Sequence, residues 1–200
     1  VSAGHAGSGR PLPRLLLLTD RAQLAKGRGL AATVRECAAA GLEAVVVREH
    51  DLDERCFGAL VETLLAVPGL TVLTSRRPHP GAAGLHLAAH QPAPTTGRFG
   101  RSCHDAGELA RAAAEGAGWA TLSPYAASAS KPGHGPVVDP GLLAHPGLPI
   151  WALGGIDETR AADALRHGAA GVAVMGAVMR AREPAGVVAA LLAALDGADR

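Results

Sequence analysis

From Leu15 onward the chain alternates between two textures. Eight short runs are almost continuously apolar, at 15–19, 44–47, 71–74, 84–87, 99–103, 119–122, 150–153 and 171–174. Unbroken apolarity over four or five residues, rather than strict alternation, is what a strand covered on both faces requires. Between most of these runs apolar residues recur at helical spacing, over 30–39, 53–65, 105–114, 159–165 and 184–195. Asp105 stands three residues before Glu108 as a capping box, and Asp157 or Glu158 sits where the helix at Thr159 leaves its first amides without partners. Gly41, Gly116 and Gly168 each follow a helical run, where a residue lacking Cβ best adopts a left-handed end. Segments 76–84 and 90–98 are too short, or too rich in proline, for full helices. The pattern predicts an α/β fold, a closed TIM (β/α)8 barrel with one or two helices reduced. An open doubly wound sheet is the alternative, but no Gly-rich dinucleotide turn follows the first strand.

Residues 1–13 are rich in Gly, Ser, Pro and Ala without apolar periodicity, and read as a flexible leader before a single barrel domain spanning 14–200. At 200 residues and 48% hydrophobic content the chain suits one domain. Its apolar runs fall far short of the roughly 20 residues of a membrane span, so no membrane partner is expected. The run 15–18 is followed at once by Asp20 and Arg21, unlike a signal peptide. A formal net charge of +1 with dispersed cations, and five aromatic residues (two Trp, two Phe, one Tyr), give no stripe or stacking platform for nucleic acid. Cys37, Cys56 and Cys103 are odd in number and lack CxxC spacing, which argues against a disulfide framework or structural zinc and fits a reducing cytoplasm.

Candidate chemistry clusters where strands end. Gly154-Gly155 after the seventh strand and Met175-Gly176 after the eighth could present converging backbone amides to a phosphate, helped by a short helix beginning near Gly176; tight-turn glycines are the plain alternative. On the long loop after the sixth strand, Ser128, Ser130 and Lys131 could donate to successive oxygens of a polyanion, or simply be a solvated loop. Arg48-Glu49-His50 lies on the rim after the second strand. There Arg48 could pair with an anion, Glu49 could orient it or take a proton, and His50 could titrate near neutral pH, or Arg48 and Glu49 could form a structural ion pair. Ser102 and His86 could reach the mouth, although a histidine in a strand is more often a hydrogen-bonded core residue, and Cys103 reads as packing. The carboxylates near strand ends, Asp20 and Glu49, are far apart in sequence, so no metal site is expected.

In order, LLLLTDR, VVVREH, AGLHL, GRSCH, SPYAASASK, ALGGI and GAAGVAVMGAV, from Leu15 to Ala181, resemble the thiamine phosphate synthase and TenI family. The resemblance implies a TIM barrel that handles a thiazole phosphate and, in the synthase branch, also a hydroxymethylpyrimidine diphosphate. It places Gly154, Gly155 and the backbone at Gly176 at the thiazole phosphate. It sets Ser128, Ser130 and Lys131 against a Thr-x-Thr-Lys loop, Ser102 against the serine of GxSxH, and Arg48 against the arginine of Gln-x-Arg-Glu-Lys. The Asn-Asp pair and the Asp that hold magnesium and pyrophosphate in synthases are here Thr74-Ser75 and Gln91, and Val46 and His50 replace the Gln and Lys of the second-strand motif. TenI proteins lack such a metal site and aromatise a thiazole phosphate by proton transfer, but their histidine after the sixth strand is here Pro124.

These departures favour a metal-independent thiazole tautomerase without cofactor, in which Glu49 or His50 moves the proton. One alternative is a diverged synthase, the only case requiring magnesium unless Arg48, Lys131 and Arg76 supply the positive charge. Another is a non-catalytic phosphate-binding regulatory barrel. A small phosphate ligand is the expected partner, with a second copy of the chain as a further one.

Overall fold

The computed structural model describes residues 11–127 and 137–198. Its strands are β1 (Leu15–Leu18), β2 (Ala44–Val47), β3 (Thr71–Ser75), β4 (Leu85–Leu87), β5 (Phe99–Cys103), β6 (Trp119–Leu122), β7 (Ile150–Leu153) and β8 (Gly171–Val174). Each pairs in parallel with its sequence neighbour, and β8 closes on β1 through Leu15 opposite Val172 and Leu17 opposite Val174. The fold is a TIM barrel.

The helices are α1 (Leu30–Ala39), α2 (Glu54–Leu65), α3 (Ala106–Ala114), α4 (Glu158–Arg166), a single turn α5 (Gly176–Met179) and α6 (Pro184–Gly197). Aspartates start three of them. Asp53 accepts from Cys56 N at 2.8 Å, Asp105 from Glu108 N at 2.8 Å and Asp157 from Arg160 N at 2.9 Å, each contact worth about 1 kcal/mol. Glu108 completes its side of the box one residue early, accepting from His104 N at 2.8 Å. The helix-ending Gly41, Gly116 and Gly168 all have positive φ.

No helix separates β3 from β4 or β4 from β5, as the short connections predict. Between β6 and β7, which the sequence reads as a long loop, the described residues form a 3-10 turn, Pro140–Ala144. Pro140, Gly141, Pro146 and Gly147 break up the described residues 137–149, so that this part of the connection cannot sustain a run of helical hydrogen bonds.

Two apolar layers follow from the alternation of side chains along each strand. Leu15, Leu17, Val45, Val47 and Val72 pack outward against the helices, while Leu16, Leu18, Ala44, Val46, Leu73, Trp119, Trp151 and Ala173 fill the barrel. Leu12, near the end of the expected leader, joins the inner cluster, and the Trp151 indole donates to Pro13 O at 3.0 Å. No helix among the described residues is long and apolar enough to cross a membrane.

Candidate functional site at the carboxyl end of the barrel

The same alternation sorts the rim after β2. Arg48 continues the inner face of Val46, and its Nη1 lies 3.7 Å from Met175 Sδ beyond β8. Glu49 continues the outer face of Val47. It is buried and accepts from Arg21 N at 3.1 and 3.3 Å and from Arg21 Nη1 at 3.0 Å. Arg21 also grips Asp51, at 2.6 and 2.8 Å, which lowers the Asp51 pKa. Glu49 is thus a strut between the first and second loops, turned away from the mouth.

His50 lies beside β3, its Nε2 3.2 Å from Ser75 Oγ. Burial first, then the charges of Arg76, Arg48 and Arg77, push its pKa down to about 4, so the ring is neutral at pH 7. Arg77 is occupied, donating to Leu52 O and Glu49 O at 2.8 Å each and lying over the Phe57 ring. Arg76 is exposed and takes a left-handed φ of 63°. That conformation costs a residue with Cβ roughly 1–2 kcal/mol. It is held from both sides, by Arg76 N donating to His86 O at 2.9 Å and Gln91 Nε2 donating to Arg76 O at 2.8 Å.

Across the barrel His86 is buried beneath the mouth. Its Nε2 lies 3.1 Å from Ser102 Oγ and 3.2 Å from Thr121 Oγ1, and its Nδ1 accepts from Trp119 Nε1 at 3.2 Å. Burial, then Arg101 and Arg48, lowers its pKa to about 4. Ser102 is half-buried at the end of β5. His104, two residues on, pairs with Glu108 at the surface. Burial pushes the Cys103 thiol up to about 12, which leaves it unreactive.

At β7 and β8 the chain turns on glycine. Gly154 and Gly155 have φ of 97° and 67°. A Cβ on Gly155 would stand 2.7 Å from both Ala126 O and Ala127 O. Tyr125 N donates to Leu153 O at 2.9 Å and Ala126 N to Gly154 O at 3.0 Å, so the loop after β6 lies on the loop after β7. Met175 leads into α5, where Gly176 leaves room for the Arg180 guanidinium, itself hydrogen-bonded to Gln23 Oε1.

Arg48, His50, Ser75, His86, Ser102, Gly154, Gly155, Met175 and Gly176 therefore all belong to the carboxyl end of the barrel, and Glu49 is screened from its mouth. Ser128, Ser130 and Lys131 lie outside the described residues. Sequence reasoning passed over Trp119 and Thr121. The available signal was Gly100 beside Trp119 on the neighbouring strand, since a Cβ there would collide with the indole.

The side chains after β3 and β4 do not fit a divalent cation. Ser75 faces His50, and Gln91 spends its amide on the loop, accepting from Ala88 N at 3.2 Å as well as donating to Arg76 O. Among the described residues no group of three or more His, Cys, Asp or Glu side chains is placed to hold a metal ion.

A sequence model of the thiamine monophosphate synthase family matches residues 79–178. The chain is 37% identical over 202 residues to a candidate thiamine-phosphate synthase of Geobacter sulfurreducens, covering 90% of this chain and 93% of that protein. It is 30% identical over 189 residues to a thiamine-phosphate synthase of Chloroflexus aurantiacus, covering 84% and 86%. A solved thiamine phosphate pyrophosphorylase of Pyrococcus furiosus superimposes with a TM-score of 0.80 at 20% identity, over 92% of this chain and 96% of that one, a likeness of fold. With a relative matched at this identity along nearly its whole length, the chain belongs to the thiamine monophosphate synthase family.

Proposed function

We propose that this protein joins a hydroxymethylpyrimidine diphosphate to a thiazole phosphate and releases pyrophosphate, with arginines in place of a metal at the diphosphate. One observation carries the reading: arginines surround a neutral His50 at the ends of β2 and β3, while the nearby carboxylate of Glu49 is turned outward onto Arg21. A cationic rim without an available base suits a departing polyanion and does not suit proton abstraction. Both proton carriers of the tautomerase reading are poorly placed for it. Glu49 is held by Arg21, and an imidazole with a pKa of about 4 is a weak base at neutral pH. The curated relatives named above point the same way.

In this reading the thiazole phosphate rests on the amides around Gly154, Gly155 and Gly176, with Met175 beside them, which orients the thiazole ring nitrogen. The bond from the pyrimidine methylene carbon to the diphosphate oxygen breaks, and its electron pair leaves with pyrophosphate. The thiazole nitrogen supplies the pair for the new carbon–nitrogen bond. No proton moves in this step. Arg48 and Arg76, with Ser102, His50 and the Ser128, Ser130 and Lys131 loop, stabilise the charge that develops on the leaving group. Arg48, whose guanidinium keeps its charge at any working pH, supplies part of what a metal would otherwise supply.

The test mixes the protein with both ring substrates and follows pyrophosphate release, in magnesium and in excess chelator. Release that needs both substrates and persists in chelator is the expected result. Isomerisation of the thiazole phosphate alone would restore the tautomerase. Ligand-induced thermal stabilisation without any turnover would identify a binding barrel, and coupling abolished by chelator would overturn the role of the arginines.

A further inference from the structure

The barrel interior under the mouth contains a chain of hydrogen bonds that the coupling chemistry does not itself require. Trp119 Nε1 points to His86 Nδ1 at 3.2 Å, the two ring planes lie within 19° of each other, and His86 Nε2 faces Ser102 Oγ at 3.1 Å and Thr121 Oγ1 at 3.2 Å. Room for the indole is built in by Gly100, where any side chain would collide with it.

Proton counting along this chain has one solution. An indole nitrogen can only donate. His86 Nδ1 therefore accepts, and a second proton at that nitrogen would set two donors head to head. His86 is neutral, because burial disfavours its charged form. Its single proton is thus on Nε2, which has no lone pair to offer. Neither Ser102 nor Thr121 can donate to the ring, so both hydroxyl hydrogens must turn away from it. Thr121 is fully buried, whereas Ser102 is half-exposed at the end of β5.

We propose that Trp119 and His86 are positioning residues that lock Ser102 as a hydrogen-bond donor toward the mouth, prepared for an acceptor oxygen of the diphosphate. The choice of ligand rests on the coupling reading above; the locked tautomer does not. With His86 able to flip, Ser102 would spend part of its time donating inward and would present lone pairs to an anion. The indole prevents this by occupying the only nitrogen that could otherwise carry the proton.

Two measurements test the proposal. Long-range proton–nitrogen correlation spectra of protein labelled at histidine should show His86 as the Nε2–H tautomer at pH 7, and Trp119→Phe should convert it to a mixture. Titration with inorganic pyrophosphate in chelator should show affinity falling about three- to tenfold in Trp119→Phe, the worth of one hydrogen bond. Ser102→Ala should fall similarly, and the double variant no further than Ser102→Ala alone. His86→Gln, whose amide nitrogen can still donate to Ser102, should retain more affinity than His86→Ala. A wild-type His86 carrying its proton on Nδ1 overturns the proposal without any substitution. So does an additive loss in the double variant. If the wild-type protein does not bind pyrophosphate in chelator, the diphosphate as the acceptor is overturned along with the metal-free form of the coupling reading, and the spectrum alone then decides the lock.

Discussion

Glu49→Gln separates the two reactions this family context allows. The carboxylate takes an ion-paired hydrogen bond from Arg21 Nη1 at 3.0 Å and the Arg21 backbone N–H at 3.1 Å. Glutamine keeps an oxygen for the backbone donor but loses the ionic contact. Hydrogen bonds to charged groups contribute about 1.5–3 kcal/mol. Arg21 is 37% exposed and keeps Asp51, which puts the loss at the low end, about 1–2 kcal/mol. For a domain of this length that lowers the melting temperature by roughly 3–6 °C. Glu49 faces away from the mouth, so turnover in the pyrophosphate-release assay should fall less than about tenfold, short of the roughly 100- to 10,000-fold lost with a general base. Thermal melts and saturating initial rates on the same preparation read both quantities. A rate loss of about a hundredfold with an unchanged melt would refute the strut and return the proton-transfer role to Glu49.

Gly155→Ala combines a left-handed backbone cost of roughly 1–2 kcal/mol with a Cβ pressed on Ala126 O and Ala127 O, and should both lower the melting temperature and weaken inorganic phosphate binding; a variant unchanged in both removes Gly155 from the cradle. Arg76→Gly should raise stability by up to about 1 kcal/mol, since glycine takes φ of 63° without strain, while weakening pyrophosphate about tenfold in chelator. Denaturant melts and titration on that variant must move in opposite directions for Arg76 to be strained for function. His86 should make the fold acid-sensitive. Its folded pKa of about 4 lies below the unfolded 6.5, so the unfolded chain binds the extra proton between these values and stability falls as pH drops from about 6.5 to 4. The loss, roughly 3 kcal/mol at its limit, should be smaller in His86→Gln; identical pH profiles for the two proteins would contradict it.

The fold was legible because a parallel barrel writes itself as buried runs. Ala44–Val47, Phe99–Cys103 and Trp119–Leu122 form strands with the bounds their apolarity suggests, and the aspartate starts and glycine stops mark the helices between them. The carboxyl-end glycines were legible for the same reason, since position on the barrel and lack of Cβ are both sequence properties. Between β6 and β7 the sequence reads as a long loop, and the described residues there form a 3-10 turn at Pro140–Ala144. The His86 network was hidden because it depends on which strands are neighbours across the barrel, and Trp119 is 33 residues from its partner.

The assignment of Arg48 and Glu49 shows how much one periodicity decides. Both stand on the rim, and residue type alone favours Glu49 as the reactive group. Yet Val45 and Val47 pack outward and Val46 inward. A strand that keeps its period of two for two further residues must send Arg48 inward and Glu49 outward. The contacts with Met175 on one side and Arg21 on the other agree. The same count places Ser75 inward after Leu73 and brings it to His50, so a cationic rim rather than an acid–base pair faces the ligand. What the strand alternation could not supply is the conformation of Arg76, which lies beyond β3. Its charge reaches the rim through a left-handed turn held by His86 O and Gln91, and neither partner is local to it in the sequence. Replacing Gln91 by Ala should therefore weaken pyrophosphate binding through Arg76 while leaving inorganic phosphate at the glycine cradle unchanged; equal loss at both would mean that the loop, not the arginine, had been disturbed.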